Sequence, residues 1–132
     1  MGYSFTYDRP SDYAESGCGF NNDQMNYVRL IMLEAGAIDG NGLKAALKTP
    51  GLEPTDETID ASNFMSNGGW RITPEQARFV AARLRQAVAE DVIFELLMFF
   101  DDAPSSAEVR EWVEEFATFN ERAAARDGYY VC

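Results

Sequence analysis

Adjacent carboxylates at Asp101 and Asp102 follow the apolar run 92–100, a setting in which side chains acquire chemistry. Apolar surroundings disfavour a carboxylate's charged form and suit it to general acid or base work, and neighbouring carboxylates are also ligands for magnesium. Trp70 and Tyr129, with Tyr130 beside it, are aromatics of the kind that line small-molecule pockets. Trp70, Asp101, Asp102 and Tyr129 therefore form a candidate pocket, for a small-molecule ligand or for carboxylate-based, metal-assisted catalysis. A structural account competes with it. Acids just ahead of Ser105 favour the positive end of the next helix, and a chain of 132 residues needs its large aromatics for its core. The structural account is favoured for both features.

A second group is Glu111, Glu114, Glu115 and Glu121. Helical spacing puts these acids opposite Trp112 and Phe116, with Glu111 and Glu115 a like-charge i,i+4 pair that costs a few tenths of a kcal/mol in an isolated helix. A ligand surface is one reason to keep such a pair. The other is the helix dipole, since the acids come early and Arg122 and Arg126 late. The opposite sign gathers upstream. Arg71, Arg78, Arg83 and Arg85 against Glu75 give +3 between residues 71 and 87, and these arginines are expected to pair with the protein's own carboxylates or with a second copy. No Gly-rich loop with a phosphate-binding lysine accompanies them, so no cofactor is expected. Asp39-Gly40-Asn41-Gly42 matches the first and third positions of a calcium loop. It then fails with Leu43 at the fifth, Lys44 at the sixth and Pro50 at the twelfth, so it reads as a helix-ending turn and no metal is expected.

Composition narrows the classes further. The chain has no histidine, which removes the commonest general base, nucleophile activator and zinc ligand. With 22 Asp+Glu against 11 Lys+Arg the net charge is −11, which argues against binding nucleic acid and towards a basic protein partner. No apolar run approaches the roughly 18 residues of a membrane span, and the first residues lack a basic and then apolar leader pattern, so a cytoplasmic protein with no membrane association is expected. Of the two cysteines, Cys18 lies between glycines and Cys132 ends the chain; free thiols are expected unless the fold joins both ends.

These residues need elements to position them. Residues 3–7 alternate as a strand with Tyr3, Phe5 and Tyr7 on one face, and residues 8–20 read as a loop. Met25, Val28, Ile31, Met32 and Ala35 recur at helical spacing over about 22–35, with Asn22 or Asp23 as the start and Gly36 as the end. Leu43, Ala46 and Leu47 allow short helical turns before Pro50, and residues 55–64 allow another short helix. Asn67-Gly68-Gly69 turns the chain into a strand at about 69–72. Thr73-Pro74-Glu75-Gln76 then starts a helix with Ala77, Val80, Ala81, Leu84, Ala87 and Val88 inward and Arg78, Arg83, Arg85 and Gln86 in solvent. The run 92–100 reads as a buried element, helix in preference to strand. Ser105-Ser106-Ala107-Glu108 caps a last helix carrying Val109, Trp112, Val113, Phe116, Asn120 and Ala123 on one face; Gly128 ends it, and Tyr129-Tyr130-Val131-Cys132 reads as a strand.

The stretch Asn67-Gly68-Gly69-Trp70-Arg71-Ile72-Thr73-Pro74-Glu75, with Trp112-Val113 and Gly128-Tyr129-Tyr130-Val131, resembles small uncharacterised bacterial proteins in which a Gly-Trp strand leads into a Thr-Pro-Glu helix. The resemblance covers roughly the second half. It implies a bacterial, cytosolic origin and assigns no functional residue.

The reading is a single α+β domain over residues 1–132, dominated by helix, with a small sheet of the N-terminal, central and C-terminal strands. Its expected function is non-enzymatic: an acidic interaction module, of inhibitor or immunity type, that binds a basic protein through Glu111, Glu114, Glu115 and Glu121. The pocket reading, as ligand binder or enzyme, is the alternative. A homo-oligomer that sets the basic helix against an acidic helix of another copy is the third.

Overall fold

The computed structural model describes residues 2–7, 18–65 and 69–131, with Phe5 the one side chain described in the first stretch. The fold is α+β with helix dominant. Strands β1 (Gly2–Tyr7), β2 (Cys18–Asn21), β5 (Trp70–Ile72) and β6 (Tyr129–Val131) form an antiparallel sheet in the order β2-β1-β6-β5. The N-terminal, central and C-terminal strands thus meet as their residue types indicate. The fourth strand, β2, is a correction: residues 18–21 are not loop, because Cys18 pairs with Phe5 and Phe20 with Tyr3 in register. Residues 8–17, Asn67, Gly68 and Cys132 lie outside the described residues, as do the side chains of Tyr3 and Tyr7.

One face of this sheet is closed by aromatic packing. Phe5 sits 4.8 Å from Phe116, and Phe119 4.8 Å from Tyr129 in an edge-to-face arrangement, with Phe20 and Phe64 against the same group. Phe116 and Phe119 come from α4 (Ser106–Ala124), so the longest helix is fixed to the sheet by its own apolar face. Helix α2 (Pro74–Ala89) packs along α4, burying Val80 and Leu84 together with Ala77, Ala81 and Ala87, whose small side chains allow close approach. Its Thr73 and Gln76 form the capping box that the sequence spells.

Helix α1 (Asn22–Glu34) covers the segment that its apolar spacing marks. Its cap is Asn21, not Asn22 or Asp23: the Gln24 amide donates to Asn21 Oδ1 at 2.8 Å, and the Asn21 amide donates back to Gln24 Oε1. After α1 comes a parallel two-strand pair, β3 (Ile38–Asp39) and β4 (Ile59–Asp60), followed by a 3-10 turn over Ala61–Phe64. The short helix expected over 55–64 is confined to this last turn, because Ile59 and Asp60 pair with Ile38 and Asp39 instead. The Asp39–Gly42 turn follows β3 and ends no helix. Asn41 and Gly42 both have positive φ, and the Leu43 amide closes on Gly40 O at 3.0 Å, the geometry for which Asn-Gly is the preferred pair.

Residues 43–49 are not helical either. The Glu34 carboxylate, 4 % exposed, takes the amides of Ala46 and Leu47 at 2.6 and 2.9 Å, and Lys48 adopts φ 51°. Those amides are thereby removed from helical pairing. Arg83 is likewise not in solvent; its guanidinium donates to the carbonyls of Ala35, Gly51 and Glu53 and ties α2 to this irregular segment.

Gly128 ends α4 at φ 83°, its amide on Ala123 O, and a Cβ there would overlap the Ile72 carbonyl of β5. The same glycine therefore turns the chain and lets β6 reach its neighbour.

Candidate functional site

The apolar run 92–100 is helix over α3 (Val92–Leu97), but it is not buried throughout. Val92, Ile93, Leu96 and Leu97 form the inward face, two pairs one helical turn apart, packed against α1, α2 and α4. The remaining large side chains face out. Phe94 is 57 % exposed, Met98 72 %, Phe99 69 % and Phe100 40 %. Isolated apolar residues on a surface are ordinary, but four within seven positions form a patch, the kind that marks an interaction site.

The segment that carries the patch is charged with one sign, although Arg110 and Arg29 border it from α4 and α1. From residue 90 to 108 the chain carries Glu90, Asp91, Glu95, Asp101, Asp102 and Glu108 and no lysine or arginine. All six are exposed. Phe94 also shares a hollow between α3 and α4 with Asp91, Arg110, Glu111 and Glu114, so the apolar knuckle is continuous with the acidic face of α4.

On that face the four candidate acids divide. Glu114 accepts from Arg110 Nε at 2.8 Å, and Glu121 accepts from both Arg85 Nε and Nη2, at 3.2 and 2.9 Å, while Arg85 also reaches Thr118. The Arg85 hydrogen bond holds the Glu121 carboxyl below its ordinary range, and Glu121 in turn raises the Arg85 guanidinium. Arg85 thus pairs with one of the protein's own carboxylates, as expected, while its side chain stays exposed. Glu111 and Glu115 are exposed and make no ion pair among the described residues. Glu115 acts on Cys18 across a neighbouring hollow. Burial first, then the Glu115 charge, push the Cys18 thiol up to about 12, with the Gly19 backbone opposing. Such a thiol is a poor nucleophile at neutral pH.

The alternative pocket residues are spread over three environments. Tyr129 is fully buried, and its hydroxyl donates to Asn120 Oδ1 at 2.7 Å while Asn120 Nδ2 donates to Phe116 O. Burial raises the Tyr129 phenol well above 10, outweighing that hydrogen bond. Trp70 is 43 % exposed on the edge strand β5. Asp101 is exposed in the turn after α3, and Asp102 lines a cleft of about 680 Å³. That cleft is lined by Tyr27, Leu30, Leu33, Leu43, Met65 and Phe100, with Asp23 and Arg29 as its other charged residues. Tyr27 meets Phe100 edge-to-face and Trp112 at a tilt. Asp102 and Phe100 thus connect the cleft to the knuckle.

Sequence reasoning missed Phe94, Met98, Phe99 and Phe100 because continuous apolarity reads as burial. The signal was present in the recurrence of Val92-Ile93 and Leu96-Leu97, which satisfies one helical face by itself and leaves the intervening residues outside. Among the described residues, no three acidic or thiol side chains gather closely enough to hold a metal ion, and no helix is long and apolar enough to cross a membrane. Comparison with protein-family models, curated proteins and solved structures gives no match, so the site's role rests on its own residues.

Proposed function

We propose that this chain is a protein-interaction module that binds a basic partner through the α3 knuckle, with the acidic face of α4 as its flank. The observation that carries the reading is the exposure of Phe94, Met98, Phe99 and Phe100 on a segment with six exposed acids and no basic residue between positions 90 and 108. Desolvated aromatics at the centre of an interface supply most of its energy, and rim charges steer the encounter and reject partners of the same sign. The fitting partner presents an apolar ridge flanked by lysines or arginines. An inhibitor or immunity-type protein works by covering such a surface. This moves the centre of the site from the glutamates to the aromatics, and keeps Glu111, Glu114 and Glu115 as steering charges.

The test uses a synthetic amphipathic helix of leucine and lysine, with a leucine-glutamate helix as control, followed by amide chemical shifts and calorimetry. Shifts centred on residues 94–102 and 111, a weakening of about tenfold or more with Phe99→Ser, and silence of the acidic control support the reading. Changing Glu111, Glu114 and Glu115 together to Gln should slow association and flatten its salt dependence with the fold intact. Shifts spread evenly over the surface, or equal affinity for the Phe99→Ser protein, would sink it.

A further inference from the structure

The exposed apolar surface does not stop at the knuckle. Phe100 belongs both to the knuckle and to the lining of the cleft of about 680 Å³, and Met65, which lines the same cleft, is exposed as well. Among the described residues, every large apolar side chain that stays exposed, except Trp70, therefore lies on the knuckle or in this cleft. A free small molecule in the cleft would leave the knuckle uncovered. A partner chain that covers the knuckle reaches both.

The charged residues of the lining say what kind of group enters. Asp23 comes from α1 and Asp102 from the turn after α3; both are exposed, and neither carboxylate has a hydrogen bond or ion pair among the described residues. Arg29 opposes them, donating Nε to Phe64 O at 3.0 Å and Nη1 to Asn26 Oδ1 at 2.9 Å. A guanidinium in the lining repels a second cation and two carboxylates repel an anion, so the entering group is neutral. The apolar side chains call for an apolar body, and the carboxylates for a donor on it. Tryptophan has both, a broad flat ring and a single N–H. Its ring also suits the walls, where Tyr27 and Phe100 already meet edge-to-face at 6.2 Å and where a guanidinium is attracted to an indole face.

We infer that the cleft seats a tryptophan of the basic partner, its indole against Tyr27, Met65 and Phe100 and its N–H on the Asp102 carboxylate, with neighbouring lysines or arginines of the partner outside, near Asp23 and Asp101. This rests on the partner-binding reading and gives that partner its anchor. A cleft of this volume is in the range that holds a whole ring system, and buried tryptophans are among the commonest anchors of interfaces.

The protein isotope-labelled at its methionine methyls reports the two surfaces separately, Met98 for the knuckle and Met65 for the cleft. It is titrated with the leucine-lysine helix and with the same helix carrying one tryptophan in its apolar face. The tryptophan should tighten binding about tenfold or more and move the Met65 methyl upfield through the ring current. Methylating the indole nitrogen removes the donor and should weaken binding about fivefold. Asp102→Ala should erase the difference between the two indoles, and Asp101→Ala should preserve it. A Met98 methyl that shifts while Met65 stays still overturns the inference and leaves the partner-binding reading standing. So does a tryptophan helix no tighter than the all-leucine one, or a methylated indole that binds as well as its parent. Silence at both methyls sinks both. If Asp102→Ala does not fold, the comparison of the two indoles on the unaltered protein decides by itself.

Discussion

At the scale of single residues, the polar groups most committed by the fold are Asn120 and Tyr129. Both are fully buried, and each satisfies the other: the phenol donates to Oδ1, and the amide nitrogen is taken by Phe116 O. Removing one partner leaves the other's desolvation uncompensated. Asn120→Ala should therefore cost about 1–3 kcal/mol for the orphaned hydroxyl, in addition to the cavity, and Tyr129→Phe should cost less, since it strands only an amide oxygen. Urea denaturation of both single variants and the double variant gives the coupling, and additive losses would mean that the bond contributes nothing beyond packing. The same phenol contributes to the alkaline limb, as does the raised Cys18 thiol. The phenol's folded-state pKa lies well above the ordinary 10, so in the range where an unfolded tyrosine loses its proton the folded one keeps it. Its contribution is complete below about pH 10 and is lost as pH rises beyond that. Phenolate absorbance from Tyr129 should appear only with unfolding. Asn120 lies on the apolar stripe of α4 in the sequence itself, but its partner nine residues away does not, because spacing places residues on faces and says nothing of which buried donors meet.

At the scale of elements, the segment between α1 and α2 departs furthest from its sequence pattern. Leu43, Ala46 and Leu47 have helical spacing, but the Ala46 and Leu47 amides serve Glu34 from another element, and local propensity yields to that long-range bond. Glu34 carries the same helical signal as any exposed glutamate late in a helix, so nothing local marks it as a buried clamp. Where a signal is local and complete, as in Thr73-Pro74-Glu75-Gln76, the observed helix begins at the indicated residue. Strand β2 shows the converse, since four residues near two glycines gain their identity only by pairing with β1. The functional surface follows the same logic: the acids of α4 were legible from helical periodicity, whereas the exposure of Phe99 depends on how much core space α2 and α4 leave. Glu34→Gln exchanges one acceptor oxygen for a donor facing an amide, and it should cost about 1–3 kcal/mol. Limited proteolysis should then open first within residues 43–54. Cleavage elsewhere would show that Arg83 alone holds the segment.

At the scale of the whole molecule, the charge of −11 acts with opposite sign on folding and on binding. A net charge of −11 on so small a molecule raises self-repulsion in the compact state, and local pairs such as Arg85–Glu121 and Arg110–Glu114 are exposed enough to offset little of it. Between about 10 and 150 mM salt the Debye length falls from about 30 to about 8 Å, which screens repulsion across the whole surface while leaving contacts at 2.9 Å less affected. The free protein should therefore melt higher as salt rises, by about 4 °C for roughly each 1 kcal/mol relieved. Attraction of a basic helix to the acids on the segment of Phe94 and Phe99 is screened by the same ions, so that complex should weaken over the same range. Melting curves with and without the leucine-lysine helix should then converge as salt increases. A free protein that melts lower in salt would show that local pairs outweigh the net field, and a complex indifferent to salt would place its affinity in the aromatics alone.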